Sequence, residues 1–181
     1  MNAFDNTSNF SSVPILAIGG LDPSGGAGIA ADLKTICAYG CYGAAAVTAI
    51  TVQDTMGVSA VEAVASEMLA AQIRPVLDDI RPSALKIGML ANAANVAAVC
   101  DAIEGRDIKL VLDPVFVSSS GRPLLDEDGF DLLKTRLMPM ATLVTPNISE
   151  AAQLADMQIS TTEDMQIAGE KIVALGARSV L

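Results

Sequence analysis

Histidine and tryptophan are both absent from this 181-residue sequence. Without histidine there is no Ser-His-Asp triad, no imidazole general base and no His-ligated metal. With aromatic residues at only 3% of the chain, there is little from which to build a base-stacking platform. The chain also lacks a Lys/Arg cluster, and its net charge is −10, so no nucleic-acid partner is expected. Gly, Asp and Pro interrupt the apolar stretches before any reaches the length of a membrane span, and no membrane partner is expected. The cysteines Cys37, Cys41 and Cys100 show neither metal-type nor C-x-x-C spacing, which argues against a disulfide framework. Cys37 and Cys41, four apart near a helix end, read as small buried thiols. Residues Met1–Ser12 have neither the basic start nor the long apolar core of a signal peptide. They read as a flexible tail on a single domain, residues 13–181, and the protein reads as cytoplasmic.

What is present suits a packed core, since 51% of the residues are apolar. Short Val-, Ile- and Ala-rich runs alternate with longer helical patterns. Strands are expected over Pro14–Gly19, Ala44–Ile50, Leu85–Gly88, Leu110–Leu112 and Leu143–Thr145, with a short extended piece at Val58–Val64. Helices are expected over Ile29–Tyr39, Glu67–Asp79 (capped by Ser66), Asn95–Glu104, Asp128–Leu137, Ser149–Ala155 and Glu163–Leu175. This alternation predicts an α/β fold with a mostly parallel sheet and helices on both faces. Arg178–Leu181 reads as the start of another strand. The sequence is therefore expected to be the N-terminal portion of a longer enzyme or a natural truncation, and its open sheet edge predicts a homo-oligomer.

The segment Gly20-Leu21-Asp22-Pro23-Ser24-Gly25-Gly26-Ala27-Gly28 closes the first strand and opens the first helix. Free N–H groups and a helix dipole at such a junction suit an anion or a polar small molecule. Ile29 and Ala30 stand where a Walker A loop needs Lys-Ser/Thr, and no register satisfies G-x-G-x-x-G. A plain strand-to-helix turn accounts for the glycines equally well.

Open α/β sheets bind ligands beyond the carboxyl ends of their strands. The polar residues at those ends are Asp22, Gln53 and Asp54, Asp113, and Asn147 with Glu150, joined by Met89. Each also has a plainer explanation. Asn147 and Glu150 form a good N-cap and N3 pair. Asp113 before Pro114 starts a turn. Asp32 complements a helix dipole, and Met89 fills core space. Lys34 and Lys86 read as solvated or paired with acids. The convergence of distant segments on one sheet edge is stronger evidence than any single motif.

Gly20–Thr35 resembles the N-terminal motif of the hydroxymethylpyrimidine/phosphomethylpyrimidine kinases of thiamine biosynthesis. Four further blocks agree in order and spacing: Thr48-Ala49-Ile50 through Gln53-Asp54-Thr55, Lys86-Ile87-Gly88-Met89-Leu90, Val111-Leu112-Asp113-Pro114-Val115, and Thr145-Pro146-Asn147 with Glu150. The resemblance extends from about Pro14 to Leu181. It implies a ribokinase-like fold and phosphorylation, with ATP and Mg2+, of a hydroxymethylpyrimidine and then of its monophosphate. By the same resemblance Ala27, Asp32, Gln53, Met89 and Val115 line the pyrimidine pocket, with Asp32 accepting from the ring's amino edge. Asp113 lies near the transferring phosphoryl group. Asn147 and Glu150 serve the nucleotide phosphates, Glu150 reaching Mg2+ through water.

The sequence departs from the family at Leu21, where many members carry Ser or Thr, and at Ser119, where many carry Lys. Both bear on substrate preference. The family's Gly-Thr-Gly-Cys anion-hole loop does not occur in this sequence. Two other readings accordingly stand beside the kinase of thiamine biosynthesis: a pyridoxal-type kinase of the same superfamily, and a non-catalytic pyrimidine-binding module.

Overall fold

A computed structural model describes residues 12–118 and 121–181. Apart from Ser12, the expected tail lies outside the described residues, as does Ser119. The strands are β1 (Pro14–Leu21), β2 (Tyr42–Gln53), β3 (Val58–Ala63), β4 (Ala84–Ile87), β5 (Lys109–Leu112) and β6 (Leu143–Val144). They form one sheet in the order β3-β2-β1-β4-β5-β6, with only the β2–β3 pair antiparallel. The helices are α1 (Gly28–Ala38), α2 (Ser66–Asp79), α3 (Ala93–Ile103), α4 (Glu127–Leu132), α5 (Ile148–Ala155) and α6 (Thr162–Ala174).

β1 is buried continuously from Leu16 to Gly20, as a central parallel strand covered on both faces must be. Side chains alternate across a strand. Ala17 therefore meets Ile29 and Ile36 of α1, while Leu16 and Ile18 meet Leu69 and Ile73 of α2 and Val96 and Val99 of α3. Helices thus cover both faces. Polar caps set where several of them begin. Asn92 opens α3 by accepting from the Asn95 N–H, and Asp126 opens α4 by accepting from the Gly129 N–H. Full capping boxes open α5 (Asn147, Glu150) and α6 (Thr161, Asp164).

Four local expectations need correction. Ser66 does not cap α2; Ala65 holds that position without a side-chain bond, because the Leu69 N–H already donates to the Ala65 carbonyl. The helix expected over Asp128–Leu137 leaves α geometry after Leu132, passing into a π turn (Leu133–Leu137) and a 3-10 turn (Met138–Met140). Pro139 has no N–H with which to continue the α ladder, and the change of pitch buries Leu133, Leu137 and Met138. The strand expected over Ala44–Ile50 runs instead from Tyr42 to Gln53, its end lengthened by hairpin pairing with the extended piece expected at Val58–Val64, which is present as the edge strand β3. Cys37 is exposed and Cys41 half-buried, since α1 turns Ile29 and Ile36 inward. Only Cys100 is buried, and burial pushes its thiol up to about 11, which leaves it inert.

Arg178–Leu181 runs beside β6. Val180 pairs with Val144 in parallel, and the Leu181 N–H donates to the Val144 carbonyl at 3.0 Å. Among the described residues no helix is long and apolar enough to cross a membrane.

Candidate functional site

The carboxyl ends of β1, β2, β4, β5 and β6 border one cleft of about 680 Å³. Its first wall is the Gly-rich loop between β1 and α1. Asp22, almost fully buried, sits at the centre of that loop. One carboxylate oxygen accepts from the Ser24 N–H at 2.8 Å; the other accepts from the Ser24 hydroxyl at 2.9 Å, the Gly26 N–H at 3.1 Å and the Ala27 N–H at 2.8 Å. Burial alone would raise the Asp22 pKa, but these bonds outweigh it and hold it below its ordinary value. The expectation of free donors for an external anion is therefore corrected for these three N–H groups: the loop is built around an anion of its own. Gly28 has φ of +55°, and a Cβ there would collide with the Gly20 carbonyl oxygen. Only glycine lets the chain turn back this tightly into α1.

The cleft floor comes from β4 and the turn after it. Lys86 extends from β4 to the Asp32 carboxylate of α1, 3.1 Å from each oxygen, and to Asp113 at the end of β5, 3.2 Å away. Met89 is buried in an apolar cluster with Ala49 and Leu124, against which Val115 packs. Its backbone is held by the Thr48 hydroxyl, which donates to the Met89 carbonyl at 2.6 Å. The Asn95 amide braces the same turn, donating to the Thr48 and Leu90 carbonyls. Gly20 makes room for this arrangement, since a Cβ there would stand 3.0 Å from the Met89 sulfur. Phe116 packs edge-to-face on Phe130 of α4, with ring centroids 4.8 Å apart, and this anchors the segment that carries Val115.

The β2–β3 hairpin forms the roof. The Thr51 hydroxyl lies within donating distance of both the Leu21 carbonyl (3.0 Å) and Gln53 Oε1 (3.1 Å). Asp54 accepts from the Met56 and Gly57 N–H groups and so serves the turn. On the far side, Glu150 accepts from the Asn147 N–H at 2.8 Å, while Asn147 Oδ1 accepts from the Glu150 N–H at 3.0 Å. The capping explanation for this pair is thus realised. Burial first, and then the charge of Asp113, raise the Glu150 pKa despite the bonds to Asn147.

All eight expected residues (Ala27, Asp32, Gln53, Met89, Asp113, Val115, Asn147 and Glu150) line this single cleft. Asp22, which the sequence put at the ligand-binding edge without a role, organises the loop; Lys86, which sequence reasoning did not place in the site, is the one cation among the cleft's described lining residues. A signal for Lys86 was available: it interrupts Ala84-Leu85-Lys86-Ile87, where a charge is costly unless it is paired.

The chain matches the family model described as phosphomethylpyrimidine kinase over residues 22–181. It is 43% identical over 168 residues to the hydroxymethylpyrimidine/phosphomethylpyrimidine kinase of Salmonella typhimurium, covering 92% of this chain and 63% of that relative. Its structure resembles the phosphomethylpyrimidine kinase of Clostridium difficile at a TM-score of 0.87 and 42% identity, covering 94% of this chain and 74% of that one. It also resembles an ADP complex of Bacillus subtilis pyridoxal kinase at a TM-score of 0.84 and 36% identity, covering 93% and 65%. The chain thus spans less than two thirds of the length of the curated relatives it matches.

Proposed function

The chain belongs to the phosphomethylpyrimidine kinase family and has its ribokinase-like fold; on that premise we propose that it serves the ATP-dependent phosphorylation of 4-amino-5-hydroxymethyl-2-methylpyrimidine and its monophosphate, in the cytoplasm, for thiamine biosynthesis. The observation that carries this reading is the gathering of eight residues, spread from Ala27 to Glu150, around one cleft.

In this reading Met89 and Val115 supply apolar contact to the pyrimidine ring. Asp32 accepts from the ring's amino edge, and Gln53 offers an amide that can donate or accept beside it. Asp113 lies toward the transferring phosphoryl group, with Asn147 and Glu150 on the nucleotide side. The hydroxymethyl oxygen is held where a bond to the incoming phosphorus can form as the bond to the leaving nucleotide breaks. Such chemistry depends chiefly on positioning and charge neutralisation.

Among the described residues no cluster of three His, Cys, Asp or Glu side chains could hold a metal. Mg2+ characteristically uses one or two carboxylates completed by water and phosphate oxygens. Asp113 and Glu150 fit that use, because the charge of one carboxylate already disfavours ionisation of the other. They would hold the ion, which when bound would supply neutralisation of phosphate charge.

Calorimetry with hydroxymethylpyrimidine and with pyridoxal tests the reading. Binding of the pyrimidine at least about tenfold tighter than pyridoxal is expected, a difference of about 1.4 kcal/mol. Preference for pyridoxal would assign the cleft to the pyridoxal-kinase reading, which the similarity to the B. subtilis enzyme makes the natural competitor. Pyrimidine binding without ADP release in a coupled assay would assign a binding module.

A further inference from the structure

We propose that Lys86 is a positioning residue that ties the ring-binding carboxylate, Asp32, to the phosphoryl-side carboxylate, Asp113, so that the two halves of the cleft are set as one unit. The proposal rests on the reading that this cleft binds a hydroxymethylpyrimidine.

The geometry makes Lys86 a bridge rather than a surface ion pair. Its neighbours along the strand, Leu85 and Ile87, are fully buried on the opposite face. Its own face is flanked in register by Ala17 of β1 and Val111 of β5, and these give the long side chain a channel instead of a polar partner. A Cβ on Gly88 would lie only 3.2 Å from the ammonium, so the position after Ile87 is kept clear for it. The side chain, about one quarter exposed, thus brings its ammonium to the cleft floor between two acids from different elements.

Asp32 lies on α1 and Asp113 follows β5. No described hydrogen bond joins them directly, whereas each is within 3.2 Å of Lys86 Nζ. Without the ammonium, two like charges would face a common space and each would turn toward water. With it, both Asp32 oxygens are held on their inner side, and their remaining lone pairs stay available to a ligand's N–H groups. The register between ring and phosphoryl group is then set by protein geometry before any ligand arrives, which is where most of the rate advantage of positioning originates.

The test is a mutant cycle on the whole chain, read by calorimetry with hydroxymethylpyrimidine and by ligand-free urea unfolding. Lys86→Met is expected to weaken pyrimidine affinity by about tenfold. Asp113→Asn should weaken affinity when Lys86 is present and change it by less than about twofold in Lys86→Met. A purely structural lysine would lower the unfolding midpoint while leaving the affinity of the folded fraction, and the effect of Asp113→Asn on it, unchanged; that result overturns the proposal. If Lys86→Met does not fold, Lys86→Gln decides, because it removes the charge while keeping a polar end. Asp113→Asn must change affinity by less than about twofold there as well, and an effect as large as in the unaltered chain overturns the bridge. Failure of the unaltered chain to bind hydroxymethylpyrimidine overturns the functional reading itself. The bridge is then judged from unfolding alone: Asp32→Asn and Asp113→Asn must be coupled with Lys86 present and independent without it, and independence in both backgrounds overturns it.

Discussion

The molecule has two large concave surfaces, and they are built on opposite principles. The cleft above the strand ends is lined by acids that are already engaged: Asp22 by its loop, Asp32 and Asp113 by Lys86, and Glu150 by the α5 cap. The second surface is a groove of about 830 Å³ between α5, α6 and the Arg178–Leu181 segment. It is larger, and its lining is mostly apolar, with Ile148 and Met165 more than half exposed. Volume alone would favour the groove. A site for a hydrogen-bonding ligand requires polar groups whose mutual geometry is fixed in advance, and the cleft supplies these.

The comparison is tested most strongly by paired substitutions, one in each surface. Asp32→Ala is expected to reduce hydroxymethylpyrimidine affinity by about 1.5–3 kcal/mol, the worth of a charge-assisted hydrogen bond. Met165→Lys in the groove should leave affinity unchanged and stability within about 0.5 kcal/mol. Calorimetry and urea unfolding read both. A loss at Met165 equal to that at Asp32 would abolish the distinction.

A smaller effect is expected from acid. The folded-state pKa of Asp22 is depressed below 3.8. Its contribution is therefore fully present above the unfolded value and is lost as pH falls through the folded one. Asp22→Asn turns an amide toward N–H donors, so it should cost about 1–2 kcal/mol at neutral pH. It should also flatten the acid limb of a plot of melting temperature against pH. An acid limb as steep as that of the unaltered protein would show that the loop does not depend on this carboxylate.

The smallest effect concerns Glu150. Its folded-state pKa is raised above 4.5, so ionisation costs the folded state, and stability falls as pH rises between the unfolded and folded values. Glutamine still accepts from the Asn147 N–H and preserves the capping box. Glu150→Gln should therefore match the unaltered protein in acid and exceed it at neutral pH. Mg2+ with nucleotide should raise the melting temperature of the unaltered chain and not that of the variant. A neutral-pH loss of stability with an intact metal response would reduce Glu150 to a cap alone.

The order of strands and helices was legible in the sequence because each element carries its own local signal. β1 reads as an unbroken apolar run, α5 and α6 begin at polar caps, and the Gly-rich segment marks the turn between β1 and α1. Part of the cleft's lining, Gln53, Asp113, Asn147 and Glu150, was legible for a related reason. A parallel sheet brings the ends of its strands to one edge, so residues far apart in the chain could be assigned to one place before any distance was known. The breakdown of α geometry after Leu132 was not legible, because it depends on how Leu133, Leu137 and Met138 fill the core.

What the sequence by itself determined is therefore the α/β alternation, the family to which its motifs belong, and the residue types present at the strand ends. What only the tertiary structure decided is which of those groups are paired. Local sequence made the Gly-rich loop look like an open anion site, whereas folding turns the Asp22 carboxylate inward to take three of its N–H donors. Lys86 meets Asp32 across 54 positions of chain, and no spacing rule spans that distance. The physical reason is one of range. Secondary structure follows from dihedral preference and local hydrophobic periodicity, but the state of a charge depends on its neighbours in space, and those exist only once the sheet has assembled.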